Sequence, residues 1–375
     1  MTELAYKKHF QNDVKTFEDV KNEVIERNKC CACGACIAYC ESQGFDVIEM
    51  NGDIPEFKSK KSIDNCTECG VCYYICPQTK ILKKELNEAF SIDDSIGNII
   101  KVLAAKTTIS SLDKIWQNGG VVTAILTYLF DKHKIDAAIV SEFDMNFQPV
   151  PKIIFDKKDI VKSAGTRYSI SSQISPLKNL YTIPKEILKN KEIFDVDQLR
   201  MAFIGTPCQC KAVSKMKFLH VKPAHVIKYI ISLFCFENFL YTQLYDILKK
   251  ETEVNPAKIK KTWIKKNFFL QTKDNKKYEI DIRILDPAVR NNCRDCNDFT
   301  GRFADISVGA SGAPEGYSMI LVRTDTGEKV INKMLSNRII DQFIVPSKNI
   351  IEWKNKKIDW YKKLISLKIK NNIVI

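Results

Sequence analysis

The chain has 375 residues, a formal net charge of +13, 45% hydrophobic and 27% charged residues, a composition typical of a globular protein with two or three domains. No run of about 18 apolar residues occurs, which excludes a membrane-spanning helix, and the N-terminus lacks the apolar segment of a signal peptide. Fourteen cysteines without a secretion signal favour metal binding in a reducing compartment over disulfides, so a cytoplasmic location is expected.

Residues 1–29 are predicted to form a helical lead-in, because sparse apolar residues recur there at helical spacing. Residues 30–80 carry two cysteine runs with the same spacing, Cys-x2-Cys-x2-Cys-x3-Cys. This is the spacing of bacterial ferredoxins that bind two [4Fe–4S] clusters. The segment is therefore predicted to be a small ferredoxin-type domain with two clusters.

In this spacing, the first three cysteines of a run bind one cluster and the fourth binds the other. One cluster is therefore assigned to Cys30, Cys33, Cys36 and Cys76. The other is assigned to Cys40, Cys66, Cys69 and Cys72. Zinc is the alternative, since CxxC pairs also bind zinc, although the x2-x2-x3 run is not usual for it. Cys31 fits neither set and is expected to be a small buried residue.

Residues 81–97 are charged and are predicted to be a linker to a larger domain at residues 98–327. In that domain, strand patterns alternate with amphipathic helix patterns, which predicts a mixed-sheet α/β fold. The fold class is thus α/β, or α+β when the ferredoxin-like module is included. Residues 328–375 are predicted to form a basic, helical C-terminal extension.

Strands are predicted within the larger domain at 98–106, 136–141, 200–205 and 225–236. A helix is predicted at 121–134, where apolar residues share one face. Residues 260–282 are predicted to form a β-hairpin that turns at Asp274-Asn275. Residues 304–324 are predicted to form two strands around a glycine-rich turn.

Five cysteines lie outside the ferredoxin-type segment: Cys208, Cys210, Cys235, Cys293 and Cys296. Cys208 and Cys235 each follow a predicted strand, and Cys293-x2-Cys296 is a ligand pair on one loop. Four cysteines from three loops are enough for a third cubane. Because CxxC pairs and single buried cysteines are both common, spacing alone leaves a structural role equally open.

Several fragments carry a resemblance to a known family: 116–124 (WQNGGVVTA), 164–169 (AGTRYS), 205–209 (GTPCQ), 293–300 (CRDCNDFT), 304–309 (ADISVG) and 312–318 (GAPEGYS). In order and spacing, residues 98 to about 325 resemble the beta-subunit family of coenzyme F420 hydrogenases and dehydrogenases. With its two-cluster module, the chain is most similar to the subunits that oxidise reduced F420.

The resemblance implies an enzyme that carries FAD and exchanges hydride with coenzyme F420. It also implies a third [4Fe–4S] cluster beside the flavin, with the ligands Cys208, Cys235, Cys293 and Cys296. Cys210 matches no family position and competes as a ligand. The flavin converts between hydride, which carries two electrons, and clusters, which accept one electron each. Because hydride transfer between rings needs no protein acid or base, no catalytic residue is predicted.

The predicted cofactor-binding residues lie in four of these fragments: Asn118, Gly119, Gly120, Thr123, Thr166, Arg167, Tyr168, Ser169, Thr206, Pro207, Gly312, Pro314 and Gly316. Gly119 and Gly120 precede a helix whose N-terminus suits a pyrophosphate. Arg167 suits a phosphate, and Tyr168 suits stacking on a ring. Without the resemblance, these features are an ordinary helix cap, a surface turn and a loop.

Two alternative functions stay open. One is a ferredoxin-dependent flavin reductase of an organic substrate, similar to 7-hydroxymethyl chlorophyll a reductase. The other is a non-catalytic electron-wiring subunit, which an absence of FAD would favour. A zinc-based nucleic-acid module is more remote, because helix-turn-helix, RNP and zinc-finger patterns are missing and no nucleic-acid partner is expected.

The electron partner is predicted to be a protein: a dehydrogenase complex, a hydrogenase, a heterodisulfide-type reductase or ferredoxin. The positive net charge also suits F420, which carries a phosphate and a glutamate tail. The basic tail contains Trp353, Trp360 and Tyr361. It is either a packed terminal helix or a surface that docks on a partner or peripherally on a membrane complex.

Overall fold

The structure, a computed structural model, describes residues 14–112, 117–346 and 349–371. The strands are β1 Ile48–Asn51, β2 Ile54–Phe57, β3 Lys101–Thr107, β4 Ala137–Phe143, β5 Pro149–Ile154, β6 Met201–Gly205, β7 Ile227–Leu233, β8 Ile259–Ile264, β9 Phe268–Thr272, β10 Lys277–Ile280, β11 Ile306–Gly309, β12 Ser318–Val322 and β13 Ile340–Gln342.

The α-helices are α1 Phe17–Val20, α2 Ala35–Ser42, α3 Lys60–Asp64, α4 Val71–Ile75, α5 Lys83–Ala89, α6 Val121–Asp131, α7 Lys185–Lys189, α8 Pro207–Phe218, α9 Tyr241–Thr252, α10 Asn291–Arg294, α11 Asp325–Ser336 and α12 Ile350–Asn371. A π-helical turn follows α1 at Lys21–Ile25. Short 3-10 helices lie at Ser110–Leu112, Lys157–Ser163, Ser175–Thr182, Val196–Gln198, Ala224–Val226, Pro256–Lys258 and Ile282–Ala288.

The N-terminal cysteine runs lie in a small unit built on the β1–β2 hairpin. Thr16 begins α1 with a capping box in which Asp19 accepts a hydrogen bond from the Thr16 backbone N–H. Phe17 and Val20 then pack into a core that also contains Ile48 and the predicted ligand Cys72. Residues 1–13 of the predicted helical lead-in lie outside the described residues.

In the described part of the chain, the largest sheet has eight strands in the order β13-β3-β12-β11-β7-β6-β4-β5. Its centre is parallel, since β11 pairs with β7, β7 with β6 and β6 with β4 in parallel, while the outer pairs are antiparallel. Alternate residues of β6 enter two different cores: Met201 and Phe203 enter one, and Ala202 and Ile204 the other. The sheet is therefore covered on both faces, and the predicted mixed-sheet α/β class is confirmed.

The segment predicted as one hairpin at 260–282 contains three strands. The turn at Asp274-Asn275 is present between β9 and β10, where Asn275 has a φ of 67°. A second turn precedes it, because the Lys265 N–H donates to the Asn267 carbonyl and β8 pairs antiparallel with β9. The prediction of two strands was wrong. The polar residues 265–267 are compatible with a continuous strand, but in the structure they form the turn between β8 and β9.

The C-terminal extension is mostly helical, but it contains a strand that the sequence pattern did not predict. Helix α11 ends at Asn337, and Arg338 takes a φ of 53°, which turns the chain back along the sheet. β13 then pairs with β3 at the sheet edge, with Ile340 opposite Thr107. Within the described residues, no helix combines the length and apolarity needed to span a membrane.

Candidate functional site

The predicted site segments gather at one edge of the large sheet. β4, β6, β7 and β11 run in the same direction, and β3 joins them because both β3 and β11 are antiparallel to β12. The carboxyl ends of these strands therefore meet at one edge. In open α/β sheets this edge is where ligands bind. The segments that follow β3, β6, β7 and β11 hold Asn118–Gly120, Cys208, Cys235 and Gly312–Gly316, respectively.

The two N-terminal cysteine runs have the same backbone conformation. Ala32 and Glu68, each directly before the second cysteine of its run, have positive φ angles of 49° and 50°. Gly34 and Gly70, each directly after it, have φ angles of 81° and 72° and begin the following helix. Positive φ is uncommon for Ala and Glu. Left-handed residues of this kind turn successive N–H groups inward, as in the concave nests that hold iron–sulfur clusters.

Charge interactions divide these eight cysteines into two groups. The first cysteine group contains the three x2-spaced residues of the first run and the last cysteine of the second run: Cys30, Cys33, Cys36 and Cys76. The second cysteine group contains the last cysteine of the first run and three from the second run: Cys40, Cys66, Cys69 and Cys72. Cys36 of the first group also interacts with Cys72 of the second, so the two groups adjoin and the division of ligands between them stays a prediction.

The thiols of these groups suit a cationic cluster. Burial raises the pKa of Cys30 to about 11, and burial followed by the charge of neighbouring thiols raises the pKa of Cys36 and Cys72. Several buried thiols therefore become thiolates together only when a positive charge is bound among them. Backbone N–H groups already face the sulfur atoms, since the Ala32 N–H donates to the Cys30 Sγ at 3.4 Å. Hydrogen bonds to sulfur are one determinant of a cluster's potential.

In the described ranges, no group of three or more His, Cys, Asp or Glu side chains converges to hold a single metal ion. A cubane differs from a single ion, because each of its four thiolates binds a different iron atom and the ligands stand apart. The cysteine assignments therefore remain predictions that the donor set fits.

The third cysteine group also assembles at the sheet edge: Cys208, Cys235, Cys293 and Cys296. Burial, followed by the charge of Cys208, raises the pKa of Cys293 to about 12, and burial raises that of Cys235. Cys208 lies at the N-terminus of α8, where its Sγ is 3.3 Å from the Thr206 hydroxyl. Three separate loops thus supply the four thiols to one place.

The two cysteines left unassigned have different surroundings. Cys31 is buried beside two of the groups, because it lies with Cys33 of the first group in one core, and Cys208 of the third group packs against that core. Cys210 is also buried, and its thiol donates to the backbone carbonyls of Gly205 and Ile231 at 3.7 and 3.8 Å. Cys210 is therefore held between β6 and β7, and its bonds to the backbone favour a packing role.

Gly34 offers a test of how tightly the cysteine runs are built. A Cβ at Gly34 would lie 2.8 Å from the Ser175 backbone nitrogen, whereas Gly44, with the same φ of 81°, has open space around it. We expect Gly34→Ala to lower the free energy of unfolding by about 2 kcal/mol more than Gly44→Ala. Alanine is strained by the positive φ at both positions, but its Cβ clashes with neighbouring atoms only at position 34. Chemical denaturation of both variants measures this difference, and equal losses would contradict it.

The structure gives Gly119, one of the two glycines before α6, a packing role that the sequence did not predict. A Cβ on Gly119 would come within 2.6 Å of the Ala105 carbonyl oxygen and of the Ser318 nitrogen, so this glycine is needed for close packing against β3 and β12. Its N–H donates to the Ser318 hydroxyl at 3.2 Å. Gly120 has a φ of 67° and provides no capping side chain, which leaves the first N–H groups of α6 available to an anion. Trp116 lies outside the described residues.

The guanidinium of Arg167 is already engaged by the protein. It donates to the backbone carbonyls of Lys162, Ser163, Ala164 and Gly165 at 2.5 to 3.2 Å. It also stacks 4.6 Å from the centre of the Phe143 ring, and burial lowers its pKa to about 10. A bidentate phosphate contact would have to replace some of these bonds, so the predicted phosphate role stays a prediction.

Tyr168 is likewise packed into the protein. Its hydroxyl oxygen accepts a hydrogen bond from the Ile264 N–H at 2.9 Å, and its ring contacts Phe268 edge-on at 5.5 Å. The backbone N–H of the neighbouring Thr166 donates to the Gln117 amide oxygen, and this bond connects the segment to the loop before α6. Ser169 pairs with Phe239 in an isolated bridge a few residues after Cys235. The segment thus connects the α6 loop with the third cysteine group.

The remaining predicted cofactor residues surround the third cysteine group or α6. Pro207 is the first residue of α8, directly before Cys208. Gly312 and Gly316 have φ angles of 76° and 78° and frame the loop that contains Pro314 between β11 and β12. Thr123 lies in the first turn of α6. These positions are compatible with one site along the sheet edge.

Sequence reasoning missed three buried basic residues that lie beside the cysteine groups. Lys215 on α8 donates to the Cys76 carbonyl at 2.6 Å and to the Thr79 hydroxyl at 3.0 Å. Arg290 donates to Asp53 at 2.7 Å and to the Cys30 carbonyl at 3.2 Å. Lys368 on α12 donates to the Cys235 carbonyl at 3.3 Å. An isolated Lys or Arg in a basic sequence gives no signal that it is buried.

Comparison with known proteins gives consistent results along the chain. Two family models, those of the N-terminal and the C-terminal parts of the "Coenzyme F420 hydrogenase/dehydrogenase, beta subunit", match residues 102–178 and residues 198–343, respectively. An uncharacterized protein of Methanocaldococcus jannaschii is 32% identical over 92% of this chain and 98% of its own length.

Two further similarities involve proteins with named activities. One subunit of the F420H2 dehydrogenase of Methanosarcina mazei is 29% identical over 93% of this chain and 92% of its own length. A chain in a structure of the F420-reducing [NiFe] hydrogenase complex from Methanosarcina barkeri matches with a TM-score of 0.63 and 27% identity. The match covers 75% of this chain and 92% of that one.

Proposed function

The chain belongs to the beta-subunit family of coenzyme F420 hydrogenases and dehydrogenases, and from this premise we propose that it transfers electrons between coenzyme F420 and a partner protein through FAD and three [4Fe–4S] clusters. Membership confirms the resemblance inferred from the sequence fragments. It also gives the chain a role in F420-linked redox chemistry. The FAD, the clusters and their ligands belong to the proposal.

The observation that carries the proposal is the contiguity of the three cysteine groups. The third group adjoins the first, because Cys31 and Cys33 lie in one core and Cys208 packs against it. The first and second groups are adjacent, because the charge of Cys72 acts on Cys36. If each set holds a cluster, three adjacent sets of four cysteines would form an electron path rather than three isolated structural sites.

A flavin site at the sheet edge would connect this path to F420. The N-terminus of α6 offers backbone N–H groups to a pyrophosphate, and the Gly312–Gly316 loop leads into β12, which pairs with β3, the strand before α6. Bound there, FAD would supply the conversion between a hydride and single electrons. The residues around it would position the ring and exclude water.

The partner would receive electrons from the second cysteine group, two of whose cysteines flank an exposed loop. Cys66 and Cys69 are partly exposed, and Thr67 and Glu68 between them are exposed. Ile63, just before this loop, has half of its surface exposed. A short distance between donor and acceptor favours electron transfer, so we expect the partner to dock over this loop.

The function is tested by mixing the protein with reduced F420 under anaerobic conditions. The protein is purified without oxygen, reconstituted with FAD, and assayed for iron, for which three clusters predict about twelve atoms per chain. We expect reduced F420 to be oxidised while the flavin and cluster absorption bands bleach. The matched control is the same preparation without FAD, which is expected to leave F420 reduced because clusters do not accept hydride.

The outcomes separate the proposal from its alternatives. Protein that holds FAD and all its iron but does not react with reduced F420 would contradict the proposal. That result would favour a ferredoxin-dependent reductase of another organic substrate. Protein that binds iron but no FAD would instead favour an electron-wiring subunit.

A further inference from the structure

Helix α12 lies beyond residue 343, where the match to the family ends, yet it packs against the centre of the site. One face of the helix is turned inward, with Tyr361 and Ile365 buried in the core that contains Phe299 and Met319. Residues 357, 361, 365 and 368 follow helical spacing along this face. Of the two interpretations of the basic tail, the structure supports the packed terminal helix.

The first part of this face binds the loop that follows β11. The Lys357 ammonium donates to the Gly312 carbonyl at 2.6 Å, and the Tyr361 hydroxyl donates to the Ser311 carbonyl at 3.0 Å. A Cβ at Gly312 would lie 3.4 Å from the Tyr361 hydroxyl oxygen, so helix and loop are in close contact. Helix α12 therefore fixes the loop in which Gly312, Pro314 and Gly316 are predicted to shape the flavin site.

The end of the same face reaches the third cysteine group. Lys368 is only 3% exposed, and its ammonium donates to the Cys235 carbonyl at 3.3 Å. Helix α10, which carries Cys293, also contacts α12. A lysine buried this deeply is stable as a cation only beside negative charge.

The charges that face Lys368 are mainly those of the third cysteine group. Its ammonium contacts the Cys235 carbonyl, and the helix that carries Cys293 packs against the helix that carries Lys368, so the charges of these thiols act on it. The carboxyl group of Glu237, two residues after Cys235, is near as well. The thiolates are thus the natural partners of this buried ammonium.

We propose that Lys368 is a positioning residue that supplies the counter-charge of the third cluster, and that α12 joins this cluster to the flavin loop. The inference rests on the proposed function, because it presumes a cluster on the third cysteine group. A cluster gains one negative charge on reduction. A fixed buried cation beside it therefore stabilises the reduced form and raises its potential.

The test is a redox titration of the Lys368→Met variant, followed by electron paramagnetic resonance of the reduced clusters. Methionine keeps an unbranched side chain that is one atom shorter, and it removes the charge. We expect the reduced-to-oxidised ratio of the third cluster to fall at least about tenfold at a fixed ambient potential, a shift of about 59 mV for one electron. The signals of the other two clusters should titrate as in the parent protein.

Two further variants make the test specific. Lys363→Met removes an exposed charge from the same helix and is expected to leave all three potentials unchanged. Lys368→Arg keeps the charge and is expected to restore most of the third cluster's potential. Loss of the third cluster's signal in a Cys296→Ser variant identifies which potential belongs to it.

The outcomes distinguish this inference from the function on which it rests. If the parent protein lacks iron on the third cysteine group, the proposed function fails before Lys368 is tested. If the parent and Lys368→Met both hold three clusters with the same three potentials, the role of Lys368 is wrong while the proposed function stands. A fall confined to the third cluster and reversed by Lys368→Arg supports the inference.

Discussion

Replacing Cys208 with serine is expected to lower the iron content of the anaerobically purified protein from about twelve to about eight atoms per chain. Cys208 is one of four thiols that three loops bring together, and a cubane that loses one thiolate is no longer held at all of its corners. Because Cys208 packs against the core that contains Cys31 and Cys33, the lost cluster is the one that adjoins the first cysteine group. The variant is therefore expected to keep its flavin but to lose electron transfer from the flavin to the two clusters of the N-terminal module.

Cys210 gives a matched control two residues along the same helix. Its thiol donates to the carbonyls of Gly205 and Ile231, and a serine hydroxyl can replace those bonds. We expect Cys210→Ser to retain about twelve irons, because its side chain is used for packing between β6 and β7 and not for a cluster. The pair of variants changes the same atom type in the same helix at two positions with different partners.

The measurements are iron analysis and rapid mixing with reduced F420. In Cys208→Ser, the flavin band should still bleach, while the cluster bands of the module should stay oxidised for much longer than in the parent. Twelve irons in Cys208→Ser would show that the third cysteine group does not bind a cluster. A loss of iron in Cys210→Ser instead would make Cys210 the ligand.

The parts of the fold that could be predicted from sequence depend on local patterns. β6 is predicted correctly because a strand covered on both faces is a continuous apolar run, and MAFIG is one. The groups around Cys30 and Cys66 are predicted because each run holds three of its four ligands within seven residues. The fourth ligands, Cys40 and Cys76, follow from the ferredoxin pattern.

The parts that could not be predicted depend on contacts between distant segments. Lys215 and Cys76 are 139 residues apart in sequence, Arg290 and Cys30 are 260 apart, and Lys368 and Cys235 are 133 apart. A lysine in this sequence is more often a solvated surface residue, and only the folded chain shows which ones are buried.

The same limit applies to residues whose type was interpreted as a ligand signal. Gly119 was interpreted as permitting close approach of a pyrophosphate, whereas in the structure its missing side chain permits close approach of β3 and β12. Arg167 was interpreted as a phosphate ligand, yet it binds backbone carbonyls of its own segment. A glycine permits close approach of a ligand or of a neighbouring strand, and an arginine binds a phosphate or backbone carbonyls. Only the folded backbone around the residue decides between these partners.

The cysteine module is attached to the larger domain by polar contacts that are largely buried. Lys215 is fully buried on α8, the helix that begins beside Cys208, and its ammonium binds the carbonyl of Cys76 and both oxygens of Thr79. Burial, followed by the charge of Lys211, lowers the pKa of Lys215 to about 7. Lys211 adds a bond to the Pro77 carbonyl at 2.6 Å. Helix α8 thus contributes a thiol to the third cysteine group, and two of its lysines bind the loop that begins at Cys76.

Replacing Lys215 with methionine is expected to loosen this attachment and lower the free energy of unfolding by about 3 kcal/mol, because buried acceptors on Cys76 and Thr79 lose their donor. The module, residues 30–80, should exchange its amide hydrogens faster, while the large sheet should exchange as before. Electron transfer from the third cluster to the first should also be slower, because the distance between the two clusters is no longer fixed.

The control for this prediction is Lys217→Met, on the same helix, where the lysine charge interacts with Asp305 of the larger domain and not with the module. Hydrogen exchange, chemical denaturation and freeze-quenched electron paramagnetic resonance are compared for the two variants. Parent-like exchange of residues 30–80 in Lys215→Met would mean that other contacts, such as Arg290 with Asp53 and Cys30, hold the module without it. Slow transfer in Lys215→Met with parent-like iron content would instead show that helix α8 sets the distance between the first and third clusters.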